Sequence, residues 1–111
     1  MSPDVGHLQD IVAPAKRALS YLEGQNIDGF LRDIKTQDAV LWRLAVIGEA
    51  SNNMTQGTRD AIALPWPQII GMRHVAIHHY QKLQMPRVWD TVHEHVPELV
   101  AKVEEFLQGI P

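Results

Sequence analysis

A chain of 111 residues with no cysteine is long enough to bury a core as one domain, and it excludes disulfides, thiolate nucleophiles and cysteine-ligated zinc. Its formal net charge of -3 excludes a polycation tracking nonspecifically along nucleic acid, so any such chemistry must sit at a local patch. No window reaches the roughly 18 consecutive apolar residues of a membrane span, and Met1-Ser2-Pro3-Asp4 lacks the basic-then-apolar order of a signal peptide, so a cytoplasmic location without membrane contact is expected.

From Asp4 to Glu23, the residues Leu8, Ile11, Ala15, Leu19 and Leu22 recur at helical spacing and predict an amphipathic helix. Pro14 removes one backbone donor and crowds the preceding turn, so either a kink or a later start is expected. Gly24-Gln25-Asn26 ends the helix, with Gly24 suited to the left-handed position past a helix terminus. Asn26 and Asp28 are candidate caps for a short second element through Phe30, Leu31 and Ile34. Thr36 or Asp38 then opens the strongest helix, which runs to about Thr55 with Val40, Leu44, Ile47, Ala50 and Met54 on one apolar face. Within it, Ile47-Gly48-Glu49-Ala50 places small residues around one acid. Gly48 and Ala50 let a neighbouring helix approach closely, and that neighbour could bring Arg73 to the Glu49 carboxylate.

Asn52, Asn53, Gln56 and Gly57 end the long helix, and Thr58 to Ile62 allows one further turn before Leu64-Pro65-Trp66-Pro67. Pro67 fits the first position of the next helix, where its missing donor costs nothing. That helix runs from about Pro67 to His79 or Tyr80, and Gln81 to Met85 connects it to a helix begun by Pro86 through Val88, Trp89, Val92 and His95. Pro97 divides this from a last segment with Leu99, Val100, Val103, Phe106 and Leu107 on its apolar side, and Gly109 and Pro111 end the chain. Trp42, Trp66 and Trp89 read as core aromatics, with Trp66 wedged between helices. Without period-two alternation or an internal repeat, the pattern predicts a single all-α domain over residues 1–111, an antiparallel bundle of about five helices.

The chemistry-bearing side chains crowd into Met72 to Tyr80, which holds Arg73, His74, His78, His79 and Tyr80. On a regular helix each residue turns roughly 100°, so Arg73 and Tyr80 share a face while His78 points about 140° away from Arg73. Either the helix loosens near its end, or the working site joins side chains from two copies of the chain. Gly71 lies on the stripe of His78 and Val75, where it leaves room for an approaching group or eases helix packing. These residue types suit RNA cleavage. The ribose 2′-hydroxyl already stands beside the scissile phosphate and serves as nucleophile. A histidine can take its proton or give one to the leaving oxygen, and an arginine fork can hold the phosphate. His74 and His78 are also spaced as zinc ligands often are, with His79, His93 and His95 as further candidates. The first pair lacks the glutamate of a His-Glu-x-x-His motif, and neither metal nor other cofactor is expected.

Arg73, four residues, His78, one residue, Tyr80 is the pattern by which the chain resembles the HEPN superfamily, and within it the HepT-like ribonuclease toxins. The similarity extends to Ile47-Gly48-Glu49-Ala50, Leu64-Pro65-Trp66, Ile69-Ile70-Gly71-Met72, Val88-Trp89 and Val96-Pro97. The resemblance implies a homodimeric HEPN-like bundle in which motifs of two subunits face one another and Arg73 and His78 carry metal-independent endoribonuclease activity. It implies a toxin of a type VII-like toxin-antitoxin system, opposed by a minimal nucleotidyltransferase antitoxin that transfers AMP from ATP to Tyr80. An added phosphate and adenosine would place charge and bulk where RNA should bind. His74 departs from the asparagine usual after the motif arginine; it, Glu49 and Gly71 are candidate supporting residues. The other reading is a noncatalytic helical module that binds a nucleotidyltransferase or a nucleotide.

Overall fold

Short polar side chains cap the start of two of the helices. In the computed structural model, which describes residues 4–110, α1 spans Val5–Tyr21, α2 Ile27–Leu31, α3 Ile34–Asn52 and α4 Gln56–Ala61. They are followed by α5 at Trp66–His78, a 3₁₀ turn at Tyr80–Lys82, α6 at Met85–Glu94 and α7 at Val96–Gln108. The expectations for Met1 to Pro3 and for Pro111 lie outside the described residues. Among the described residues there is no strand, and no helix is long and apolar enough to cross a membrane. The expected all-α bundle forms, as five longer helices joined by the short α2 and α4.

Several boundaries differ from the sequence expectations for identifiable reasons. Asn26 alone caps α2, its side chain accepting from the Gly29 amide at 2.8 Å, while Asp28 lies in the first turn. Helix α3 opens before Thr36 and Asp38, because the Asp33 carboxylate accepts from the Thr36 amide at 3.0 Å and the Thr36 hydroxyl at 2.6 Å. Ile34 therefore belongs to α3, and Asp38 is left available for another partner. Pro14 sits buried inside α1, which starts at Val5 and continues to Tyr21. Gly24 takes the expected left-handed conformation, φ 75°. Pro67 occupies the second helical position, since α5 opens at Trp66.

Leu8, Ile11, Phe30, Val40, Ile47, Val92 and Val103 are completely buried and form the centre of the core, each contributing about 1.5–3 kcal/mol relative to exposure. Helices α1 and α3 run antiparallel. Asp4 at the start of α1 meets Thr55 beyond the end of α3, and Tyr21 at the far end of α1 accepts from Arg43 Nε at 3.1 Å. Two of the three tryptophans behave as expected. Trp66 is buried and donates its indole N–H to the carbonyls of Arg59 and Ile62, tying α4 to α5, and Trp89 packs on Phe30 with ring centroids 5.5 Å apart. Trp42 is a correction to the core assignment: it is 62% exposed. It shares a stripe of α3 with the exposed Glu49, along an open depression bordered by α1 and α5.

Helix α5 packs closely on α3, and Gly48 is the reason it can. A Cβ at Gly48 would lie 3.0 Å from the Arg73 amide nitrogen, 3.0 Å from the Ile69 carbonyl and 3.1 Å from the Ile70 carbonyl. All three are backbone atoms, so no side-chain rotation relieves the contact. Asp4 fixes another junction: its carboxylate accepts from the hydroxyls of Thr55 and Thr58, both at 2.6 Å, and from the Thr55 amide at 3.2 Å. These bonds, led by the Thr55 hydroxyl and then Thr58, hold the Asp4 carboxyl below its usual range although burial acts the other way.

Two outcomes follow. Gly48→Ala should destabilise the protein by about 1–3 kcal/mol through overpacking in thermal melts, and should displace α5 in heteronuclear NMR spectra. Because the folded pKa of Asp4 lies below its unfolded value near 3.8, its contribution is present above that pH and is lost as pH falls through the folded value. Asp4→Asn should cost about 1–3 kcal/mol at neutral pH, and denaturant titrations should show a shallower loss of its stability in acid than for the unsubstituted protein.

Candidate functional site

The close α3–α5 contact decides what Arg73 meets. Its backbone passes over Gly48, and its Nε stands 3.2 Å from Glu49 Oε2, with the two side chains 51% and 53% exposed. The approach of Glu49 to Arg73 anticipated from the sequence is therefore realised. An ion pair this exposed is worth about 0–1 kcal/mol, so it orients the guanidinium without locking it away from an incoming anion.

Tyr80 lies just past α5, in the 3₁₀ turn. Its hydroxyl donates to the Asp38 carboxylate on α3, and the ring remains 42% exposed. The hydrogen bond to Asp38 raises the phenol above its ordinary pKa, with partial burial and the repulsion of a second negative charge adding to the effect. By residue type Asp38 offers only a helix start; its role as partner of Tyr80 has no local signal, since the two are far apart in the chain. Between the two pairs stand exposed Trp42 and Ile77. They line both the depression that holds Asp38 and Tyr80 and the one that holds Glu49 and Arg73.

His78 is not part of this face. It is the last residue of α5, and its ring packs on that of His74 with centroids 4.6 Å apart, while His79 meets His74 edge-on at 5.2 Å. The backbone departs from helical geometry only at His79, with φ -120° and ψ 20°. Of the two alternatives open from the sequence, loosening of the helix to swing His78 round to Arg73 does not occur within this chain. Arg73 and Tyr80 engage α3, and His78 stays with His74 on the stripe that also carries Gly71. A Cβ at Gly71 would meet nothing within 4 Å, so helix packing does not explain that glycine, and the space above it is open.

The histidine-spacing reading finds no assembled site. Among the described residues no group of three or more His, Asp or Glu side chains is arranged to hold a metal ion. His93 donates from Nδ1 to the Trp89 carbonyl at 2.9 Å and stacks on the Trp89 ring at 4.1 Å.

The family described as Ribonuclease HepT-like matches residues 11–106. Over 104 residues the chain is 34% identical to "Putative RNase MJ0127" of Methanocaldococcus jannaschii, covering 93% of this chain and 86% of that protein. It is 30% identical over 103 residues to "Putative RNase TTE0752" of Caldanaerobacter subterraneus, covering 92% of each. It is 34% identical over 101 residues to "Probable ribonuclease HepT" of Thermococcus cleftensis, covering 90% of this chain and 92% of that protein. No solved structure matches. A match over nearly the whole bundle, with the Arg73 to Tyr80 motif inside it, means that this chain belongs to the HepT-like ribonuclease family.

Proposed function

We propose that this ribonuclease cuts RNA without a metal ion, in a site completed by two copies of the chain, with Arg73 and His78 as catalytic groups and Tyr80 as the point of control. The observation that carries this reading is the divergence of Arg73 and His78 on one regular helix: Arg73 faces Glu49 and His78 faces His74. A twofold pairing that brings the motif helices together would set the guanidinium of one copy beside the imidazole of the other. Exposed Trp42 and Ile77 lie beside Arg73 and Tyr80 and offer apolar area for such a contact.

In that site the 2′-hydroxyl attacks the adjacent phosphorus while the bond to the 5′-oxygen breaks, leaving a 2′,3′-cyclic phosphate and a 5′-hydroxyl. The His78 imidazole takes the hydroxyl proton, and water gives a proton to the leaving oxygen. Arg73 exchanges its exposed contact with Glu49 for the phosphate and stabilises the charge that gathers on its oxygens. DNA, lacking the 2′-hydroxyl, is not cut.

Control acts through Tyr80. A nucleotidyltransferase antitoxin presents ATP to the exposed hydroxyl, the phenolic oxygen attacks the α-phosphorus, the α–β anhydride bond breaks and pyrophosphate leaves. Asp38, already hydrogen-bonded to that hydroxyl, is positioned to accept its proton. The adduct then carries negative charge on the face shared with Arg73 and repels the RNA backbone. In this reading the protein is the toxin of the pair, and its cofactor-free chemistry needs only RNA and a second copy.

Arg73→Ala and His78→Ala should each lower RNA cleavage by about 10²–10⁴-fold with unchanged circular dichroism and melting temperature. Unfolding and refolding the two inactive variants together should restore cleavage, because a mixed dimer regains one site with both side chains intact; a mixture that stays inactive rules out the shared site. Asp38→Asn should slow AMP transfer to Tyr80 by about 10²-fold, measured as the rate at which intact mass increases in the presence of antitoxin and ATP. Tyr80→Phe should take up no AMP there and should still cleave RNA.

A further inference from the structure

The side of α5 turned away from Arg73 borders a cleft that the site described above does not use. Because α5 packs on α3 and not closely on α6 or α7, a hollow of about 340 Å³ remains between them. Leu41 of α3, Met72 and Val75 of α5 and Val88 of α6 give it an apolar lining. Lys82 and Arg87 also line it, no carboxylate does, and Gln68 and Thr91 add an amide and a hydroxyl. Among the described residues neither Lys82 nor Arg87 has an ion pair or a side-chain hydrogen bond. Val75, at the edge of the cleft, precedes His78 by one helical turn, so the motif histidine stands on the adjoining side of α5, outside the lining.

An apolar slot with a few convergent polar groups and two free cations suits a ligand with a flat ring and a phosphate. The volume lies at the lower end of small-molecule sites, which span about 300–1,000 Å³. A second hollow continues past Gln68, Met72 and Thr91; His95 and Glu98, the latter paired with Lys102 at 3.0 Å, line it and neither Lys82 nor Arg87 does, so the charge of the ligand is oriented toward the first hollow. Single-stranded RNA is read through bases turned out of the stack into such slots, while cations position its backbone.

We propose that this cleft holds a base of the RNA substrate next to the scissile phosphodiester, with Lys82 and Arg87 on the flanking phosphates and Gln68 reading the base edge. The proposal rests on the nuclease reading and adds where the substrate strand lies: it crosses the end of α5 from Lys82 and Arg87 to His78, and cutting depends on the neighbouring base. An unlinked nucleotide such as ATP offers the same ring and phosphates, so both sources are included in the test.

The test uses full-length protein carrying His78→Ala and a fluorescent, uncleavable 2′-O-methyl oligoribonucleotide, with binding followed by anisotropy over a range of salt concentrations. Lys82→Ala with Arg87→Ala should weaken binding at least tenfold and reduce the slope of log affinity against log salt by about 1.4, at about 0.7 for each lost phosphate contact on a single strand. Thr91→Trp, which fills the slot, should weaken binding at least tenfold without a change in the melting temperature. In the cleavage-competent background both changes should raise KM for RNA far more than they lower kcat. ATP should compete with the oligonucleotide only at much higher concentration; ATP binding that depends on these residues while RNA binding does not would overturn the assignment to substrate RNA. Unchanged RNA affinity in the surface double variant, which removes no core contact, overturns the proposal by itself. So does a folded Thr91→Trp protein that keeps its RNA affinity but loses dimerisation or modification by the antitoxin, since the cleft would then be a protein-docking surface. Failure of the nuclease reading looks different: the unsubstituted protein would cleave no RNA, whatever these variants bind.

Discussion

Everything at the motif depends on how near two backbones come at Gly48. With only hydrogen on that α-carbon, the α5 main chain passes where a methyl group would sit 3.0 Å from an amide nitrogen and a carbonyl oxygen. This approach sets the rotation and height of α5 on α3. It delivers Arg73 to Glu49 in the next position of α3, and further along it brings Tyr80 to Asp38. Two polar contacts of modest individual strength thus inherit a fixed geometry from a contact made by backbone atoms.

The same helix serves three surfaces. Its α3 side carries Arg73 with Ile77, and Tyr80 just beyond; its outer side carries Gly71, His74 and His78; the remaining side, with Gln68, Met72 and Val75, borders the cleft against α6. Such a division has a functional logic under the proposed mechanism. Side chains that diverge within one chain are brought together only by a second copy, so activity would depend on assembly. A modification at Tyr80 would act on the arginine side without disturbing the histidine stack. Exposed polar pairs and stacked rings are also cheap to rearrange, which suits a surface where the substrate backbone must replace an existing partner of the guanidinium.

Helix capping and core packing were legible in the chain to different degrees. The spacing of Leu8, Ile11, Ala15 and Leu22 identified the buried side of α1 because periodicity is a property of one helix alone. The start of α3 was misplaced because Thr36 and Asp38 are acceptable caps by residue type, whereas the Asp33 carboxylate has the geometry that reaches the Thr36 amide and hydroxyl. Trp42 departs from the core expectation because size and apolarity predict burial only on average; it stands in an open depression between α1 and α5 and is 62% exposed. Glu49 as a partner of Arg73 could be foreseen, since the small residues beside it announce a close neighbour. Asp38 as a partner of Tyr80 could not, because nothing near either residue marks the other.

By itself the sequence determined the all-α class, the order of the helices, the buried stripes of α1, α3 and α7, and the Arg73, His78 and Tyr80 motif with the family it signals. These are local or periodic properties, written within a few turns of one helix. The tertiary structure alone decided that Tyr80 bonds to Asp38, that Trp42 stays exposed and that a cleft lined by Lys82 and Arg87 opens beside α5. Each depends on how one helix rotates against another, which is set by summed van der Waals contact across the bundle and has no signature in the spacing of any single segment.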